Sequence, residues 1–252
     1  MERVARRRVC KHTDGAVEYV EDSLALEKKV RIAVNGREAL SLYCTPHMVR
    51  ELVVGLVMTE GIIRGGWCAE RMSIEYGDEI AVNIPAEGEI STEGKTITSG
   101  CVGGVTFDRR IDPEPISDTF TIDRQSLRSI YREFQARSEL YHLTGCIHSA
   151  ALSDGRTMLC FAEDIGRHNA VDKVIGYAIL ENIPFAAKIM LASGRISSEI
   201  SSKCSRWGIP MLVTRTAPTH LAVDIAEKRG VTMVGFMRGN RFNVYTHPER
   251  IR

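Results

Sequence analysis

A thiol set among very small residues is the first feature of this 252-residue chain that could do covalent chemistry. Cys101 lies in Thr98-Ser99-Gly100-Cys101-Val102-Gly103-Gly104, with three glycines in five consecutive positions. Such a backbone is permissive and gives the sulfur little shielding bulk. A thiol held this way can meet the sulfur of another molecule, which a thiol packed in a core cannot. On the local residues alone, an incidental cysteine in a linker fits equally well.

A second set of residues suits anions. Four turns stand out: Glu163-Asp164-Ile165-Gly166-Arg167-His168-Asn169, Ser193-Gly194-Arg195-Ile196-Ser197-Ser198, Thr214-Arg215-Thr216-Ala217-Pro218 and Phe236-Met237-Arg238-Gly239-Asn240-Arg241. Each carries an arginine and three of the four carry glycine. Arginine presents a planar fork of donors matched to phosphate, and a glycine turn lets backbone N–H groups approach an anion. If each turn follows a strand of an open α/β sheet, Arg167, Arg195, Arg215, Arg238 and Arg241 share the edge where such sheets bind ligands. A phosphate-rich, nucleotide-like ligand is the expectation. None of the turns is a dinucleotide fingerprint or a P-loop, so the ligand class stays open on these residues. His168 reads either as a general acid or phosphate ligand, or as a helix-capping group. Asp164 and Asp172 read as partners that could orient Arg167 or Lys173. His148 is expected in a strand facing the helix layer, as a core histidine.

Composition narrows the classes. A net charge of +1 gives no basic excess for strong nonspecific nucleic-acid binding. No segment approaches the roughly 20 apolar residues that span a bilayer, and the basic start of the chain is followed by no apolar stretch of a signal peptide. The seven cysteines are irregularly spaced, without Cys-x-x-Cys. That pattern argues for a reducing, cytoplasmic setting and against both a disulfide framework and a metal site of the usual spacing.

The elements that must position these residues fall into two patterns. Residues 1–85 read as a β-rich subdomain with one helix, residues 86–119 as a long mobile connection carrying Cys101, and residues 120–252 as an α/β domain. In the first part, Asn35-Gly36 signals a two-residue hairpin, Gly77-Asp78 a second one, and Thr45-Pro46 a helix N-cap followed by proline at the first helical position. In the last part, a helix through Leu127, Ile130, Tyr131 and Phe134 precedes a hairpin turning at Asp154-Gly155. Helices over 169–180, 197–207 and 221–229 then alternate with strands over 188–192, 211–214, 231–236 and 242–245. Such alternation predicts crossovers and a mixed, largely parallel sheet in a layered α/β fold.

Several stretches together resemble the formate dehydrogenase accessory sulfurtransferase family, FdhD. They are Thr144-Gly145-Cys146-Ile147-His148-Ser149-Ala150, the run Glu163 to Lys173, Ser193-Gly194-Arg195, and Gly235 to Tyr245, with Val34-Asn35-Gly36 and Glu51 to Ile63 fitting as well. The resemblance runs from about residue 20 to the end. It implies a larger domain like that of cytidine deaminases, and a homodimer. It also implies a sulfur carrier that takes persulfide sulfur from a cysteine desulfurase and passes it to the molybdenum bis(molybdopterin guanine dinucleotide) cofactor of formate dehydrogenase. Cys101 matches the family's persulfide cysteine, with Lys95, Arg109 and Arg110 as candidates for lowering its pKa. Phe236, Met237, Arg238, Gly239, Asn240 and Arg241 match the segment that holds the guanine dinucleotide, alongside Arg167, His168, Ser193, Gly194, Arg195 and Arg215 from the arginine-bearing turns. Where many members carry Cys-x-x-Cys, this chain has Gly104 at the second position, so any sulfur on that loop travels on one cysteine. Two other readings remain: a chaperone that holds the cofactor without carrying sulfur, and a deaminase-type hydrolase, for which the His-x-Glu and Cys-x-x-Cys ligand pattern is missing.

Overall fold

Twenty residues at the start of the chain pair mainly with themselves. In the computed structural model, which describes residues 2–87, 89–90, 95–97, 105–107 and 114–252, β1 (Val4–Thr13) and β2 (Ala16–Ala25) form an antiparallel ladder closed at Asp14-Gly15. Next come β3 (Lys28–Val34) and β4 (Arg37–Cys44). Their predicted turn is present: Asn35 and Gly36 have φ of +52° and +75°, the two positive values that a type I′ turn demands.

Helix α1 (Val49–Thr59) starts later than predicted, and Thr45 does not cap it. Met48 occupies the N-cap position at φ +53°, without a side-chain cap. The polar groups of Thr45 are taken by distant residues: its N–H donates to Asp164 Oδ2, its hydroxyl oxygen accepts from the Ile165 N–H, and its carbonyl accepts from Lys173 Nζ. Tertiary partners have overridden a local capping signal.

The short strand β5 (Ile63–Arg64) precedes β6 (Ser73–Tyr76) and β7 (Ile80–Ile84), which form the hairpin expected at Gly77-Asp78. Parallel pairing of β3 with β7 gives a four-stranded sheet in the order β4-β3-β7-β6. β8 (Glu89–Ile90) pairs with β5, and β9 (Lys95–Ile97) with β10 (Val105–Phe107), both antiparallel. Cys101, Gly104, Arg109 and Arg110 lie outside the described residues.

Helix α2 (Arg124–Ala136) is capped by Asp123, whose carboxylate accepts from the Gln125 and Ser126 N–H groups. A short helix that sequence periodicity did not reveal, α3 (Glu139–Thr144), ends on Gly145 at φ +67°. The remaining elements are β11 (His148–Ser153), β12 (Met158–Asp164), α4 (Arg167–Leu180), β13 (Ile189–Ala192), α5 (Ser198–Arg206), β14 (Met211–Thr214), α6 (His220–Arg229), β15 (Thr232–Arg238) and β16 (Arg241–Thr246). Six strands form one sheet in the order β12-β11-β13-β14-β15-β16. The sheet is mixed, as expected, but not largely parallel. Parallel pairing is confined to β13-β14-β15, and the β12-β11, β11-β13 and β15-β16 pairs are antiparallel. The turns at Asp154-Gly155 and Gly239-Asn240 are too short for the crossover that parallel neighbours need.

Alternation along these strands builds three layers. Leu152, Met190, Leu212 and Met233 face α4, α5 and α6, packing against Val174, Ile175, Ile200, Cys204 and Ala222. Ala151, Leu191, Val213 and Val234 face the other way, toward Leu127, Ile130, Tyr131 and Phe134 of α2. The four-stranded sheet and the inner side of α1 enclose a separate apolar cluster around Val30, Ile32, Leu52 and Ile80. Helix α1 joins the two units by crossing α4 at Gly55 and Gly176. A Cβ on Gly55 would collide with the Asp172 carbonyl oxygen, and one on Gly176 with the Glu51 carbonyl oxygen. No helix among the described residues is long and apolar enough to cross a membrane.

The obstruction at Gly55 is backbone, which cannot swing aside as a side chain would. Gly55→Ala should therefore cost about 3 kcal/mol, read as a lowered urea midpoint at unchanged m-value. A midpoint equal to that of the parent would show that the helices do not touch there.

Candidate functional site

A large opening sits beyond the carboxyl ends of β12, β13 and β14, where open α/β sheets bind ligands. It is a cavity of about 920 Å³, walled by Tyr131, Arg132 and Gln135 of α2, by Tyr141 and His142 of α3, and by 145–149; Ile165, Ser193, Arg215 and Thr216 close it. Its volume matches that of a small-molecule site.

Each wall has a local cause. Ser193 ends the β13 turn, where its hydroxyl accepts the Ser149 N–H at 2.8 Å and lies 3.4 Å from His148 Nδ1. Gly194 follows, and a Cβ there would stand 3.1 Å from Arg167 Cβ and 3.2 Å from His148 Nδ1. Glycine thus allows Arg167 and His148 to close behind the strand. Thr214 Oγ1 donates to the Gly194 carbonyl at 2.7 Å and accepts the Thr216 N–H at 3.2 Å, tying two neighbouring turns together. Tyr131 donates its buried hydroxyl to the Ala192 carbonyl at 2.9 Å, fixing α2 over the strand end; burial raises its pKa.

The turn between β15 and β16 is irregular. Register shifts between Gly235 and Arg238, and Phe236 sits at φ +52°, costly for an aromatic residue. The Phe236 N–H donates to the Thr216 carbonyl at 3.0 Å, and the bulge brings Arg238 Nε within 3.2 Å of the Arg215 carbonyl. Arg238 therefore stands beside the backbone of Arg215, which lines the cavity.

The sequence-predicted residues divide accordingly. Ser193 and Arg215 line the cavity, and Gly194, Arg167, Phe236 and Arg238 support its edge. Met237 is buried in the core against α2. His168 points to the start of α5, with Nε2 3.1 Å from Ser197 Oγ and 3.7 Å from Glu199. Arg195 is exposed and does not line the cavity. Gly239 forms the exposed turn at φ +55°, while Asn240 and Arg241 line a different cleft.

His148 corrects the expectation of a core histidine. It is the first residue of β11, half-buried, and lines the cavity. Burial is the main cause lowering its pKa, and the positive charge of Arg167 adds to it. Residues that sequence reasoning missed as site components are Tyr131, Arg132, Gln135, Tyr141, His142 and Cys146. The available signal was the unusual run from Thr144 to Ala150, which places Cys146 and His148 two positions apart. Among the described residues no three His, Cys, Asp or Glu side chains converge as a metal site.

The thiols differ sharply in environment. Cys10 and Cys146 are exposed, while Cys44, Cys160 and Cys204 are buried. Burial pushes Cys44 and Cys160 up to about 12 and raises Cys204 as well. A buried thiol of that kind is a poor nucleophile.

With the geometry in place, the comparisons define the class. The chain belongs to the FdhD/NarQ family, whose sequence model matches residues 25–252. It is similar to the sulfur carrier protein FdhD of Bacillus licheniformis, at 35% identity over 98% of this chain and 96% of that one. The sulfur carrier protein FdhD of Listeria innocua is 33% identical with all of both chains covered. Among solved structures, a formate dehydrogenase accessory protein from Desulfotalea psychrophila superposes with a TM-score of 0.79 at 26% identity, covering 100% of both chains.

Two outcomes follow from the site. Native-state alkylation should label Cys10 and Cys146 and spare Cys44, Cys160 and Cys204; equal labelling of the buried three, read by peptide mass, would contradict their burial. His148 also makes stability depend on pH. Its depressed folded pKa means that the unfolded chain binds the proton first, so its contribution is present above about pH 6.5 and is lost as pH falls below it. The fall in Tm on acidification should be shallower in His148→Gln than in the parent. His47, also lowered mainly by burial, keeps part of the slope, and identical slopes would show that His148 does not contribute.

Proposed function

We propose that this protein is a sulfur carrier in the maturation of formate dehydrogenase, loading on Cys101 and binding the nucleotide end of the molybdenum cofactor in the large cavity. The Cys101 thiolate attacks the terminal sulfur of a cysteine desulfurase persulfide. A new S–S bond forms as the donor's S–S bond breaks, the donor cysteine leaves as thiolate, and Cys101 holds the persulfide with no net oxidation. Lys95, Arg109 and Arg110 are near it in sequence and would favour the thiolate. The sulfur would then pass to molybdenum bis(molybdopterin guanine dinucleotide), which is the substrate of the carrier and not its resident cofactor: the Cys101 S–S bond breaks, Cys101 leaves as thiolate, and the two electrons that reduce the sulfur to sulfide come from the reduced cofactor.

The observation that carries this reading is the cavity together with its family. A volume of about 920 Å³, bordered by the Arg132 and Arg215 guanidinium groups and by Tyr131 and Tyr141, suits a purine nucleotide: forks for phosphate and rings for the base. Membership of a family whose relatives are named sulfur carrier proteins supports the sulfur chemistry. The protein acts in the cytoplasm as a homodimer in this proposal, and Gly104 in place of a second loop cysteine makes the carrier a one-thiol device. Ser193 Oγ and the polar Thr216 edge would orient the ligand, while α2 and α3 exclude water from its apolar side.

The test combines loading and delivery. Incubation with a cysteine desulfurase and cysteine should add the mass of one sulfur atom to the Cys101 peptide. Cys101→Ala should keep guanosine diphosphate binding and lose support of formate dehydrogenase activity. A Cys101→Ala protein that sustains full activity would establish the cofactor-chaperone reading instead.

A further inference from the structure

An exposed thiol and an imidazole meet on the arm formed by β1 and β2, away from the cavity. Cys10 Sγ lies 3.5 Å from His12 Nε2, within hydrogen-bond reach for sulfur. The family model begins at residue 25, so nearly all of this arm precedes it. Strand residues two positions apart share a face, which places Arg6, Arg8, Cys10 and His12 together. The antiparallel register sets Tyr19 directly opposite Cys10, and Glu21 opposite Arg8.

The pairing sets Cys10 apart from the other described thiols. Cys44, Cys160 and Cys204 are buried. Cys68 donates to Glu70 Oε2 at 3.1 Å, so a carboxylate faces its sulfur. The exposed sulfur of Cys146 has no hydrogen-bond partner among the described residues. A nucleophile within reach of a base is the arrangement that activates a thiol.

The same face carries cations that the fold leaves unmatched. Arg8 and Glu21 stand opposite each other, yet no ion pair joins them; the Arg8 guanidinium lies 4.9 Å from the centre of the exposed Tyr19 ring instead. Arg6, opposite Ser23, likewise has no carboxylate partner among the described residues. On the other face of the arm Lys11 does pair, with Glu18 at 3.6 Å. Set against the single carboxylate of Glu21, the two guanidinium groups leave the surroundings of Cys10 positive. Exposed forks of this kind suit the carboxylates of a small anionic molecule.

We propose that Cys10 is a second sulfur-accepting thiol, which takes sulfane sulfur from a small carboxylate-bearing persulfide, with His12 as its base and Arg6 and Arg8 as anchors for the donor. His12 takes the thiol proton, and the Cys10 sulfur attacks the terminal sulfur of the donor R–S–SH. One S–S bond forms as the donor's breaks, R–S⁻ leaves and takes up the proton, and the products are the Cys10 persulfide and R–SH with no net oxidation. The loop of Cys101 stays a one-thiol device, and the arm adds a separate point of entry for sulfur. Neither thiol needs the other.

The full chain treated with glutathione persulfide, alkylated and digested, tests the assignment by peptide mass, which resolves each cysteine. The peptide carrying Cys10 should gain one sulfur atom at an initial rate about tenfold or more above that of the peptide carrying Cys146. His12→Gln should slow loading of Cys10 about tenfold at pH 7, where an unassisted thiol is only a few per cent thiolate. Arg6→Gln combined with Arg8→Gln should raise the donor concentration for half-maximal rate about threefold or more, as expected for exposed charge pairs. All three positions are exposed on the arm, so these variants keep the fold. Equal loading of Cys10 and Cys146, or a parental rate in His12→Gln, overturns the proposal, as does a parental concentration dependence in the double arginine variant. Sulfur on Cys101 with none on Cys10 overturns it while leaving the loop carrier intact; sulfur on Cys10 with none on Cys101 supports it and counts against the loop.

Discussion

Contact of α1 with α4, backbone against backbone at Gly55 and Gly176, brings two buried lysines within reach of their partners. Lys203 of α5 meets Asp172 of α4 at 2.6 Å and Glu60, just past α1, at 2.9 Å. Thr59 Oγ1 donates to the other oxygen of Asp172 at 2.9 Å, and Arg206 donates to the Thr59 carbonyl. Two carboxylates facing one ammonium raise the lysine's pKa and keep it charged. Buried charges are tolerable only when every one is satisfied, since an uncompensated ion costs several kcal/mol. Without the glycines the helices would stand apart, and Glu60 and Thr59 would leave the cluster incomplete.

The second lysine extends the same logic to the cavity. Lys173 lies 2.7 Å from Asp164 Oδ2, both fully buried, and also donates to the carbonyls of Thr45 and Glu163. Asp164 accepts in addition from the Gly166 N–H, Asn169 Nδ2 and the Thr45 N–H. One carboxylate thereby holds the end of β12, the start of α4 and the exit of β4 in one arrangement. That corner sets Ile165 in the cavity wall and Arg167 behind Gly194. The N-terminal sheet, through Thr45, is thus part of the machinery that shapes a site formed almost entirely by later residues.

On the opposite side, the cavity depends on a deliberate irregularity. The bulge at Phe236 breaks the β15–β16 register, buries Met237 under α2 and turns Arg238 toward Arg215. Positive φ at an aromatic residue is held by the Phe236–Thr216 hydrogen bond and by Gly235, where a Cβ would come within 2.9 Å of the Tyr245 ring. Strain is stored in that bulge near the end of β15.

Local chemistry was legible in the residues themselves. The turns at Asn35-Gly36 and Asp154-Gly155 follow from positive φ values that few residues adopt, and the hairpin at Gly77-Asp78 and the helices after β12, β13 and β14 follow from the residue pattern around them; all depend on neighbours a few positions away. The arginine-bearing turns at the carboxyl ends of strands were legible for the same reason. What only tertiary structure decided is where a residue's polar groups go once distant segments meet. Thr45 reads as a cap and becomes a partner of Asp164; His148 reads as core and lines the cavity; Arg241 reads as one rim with Arg215 and faces Arg124 and Arg128 instead. Hydrogen bonds and burial across more than a hundred residues have no periodicity, so sequence spacing carries no trace of them. Cys101 and its glycines are read from the sequence alone, whereas the cavity beyond β12, β13 and β14 exists only because α2 is laid across the ends of the strands.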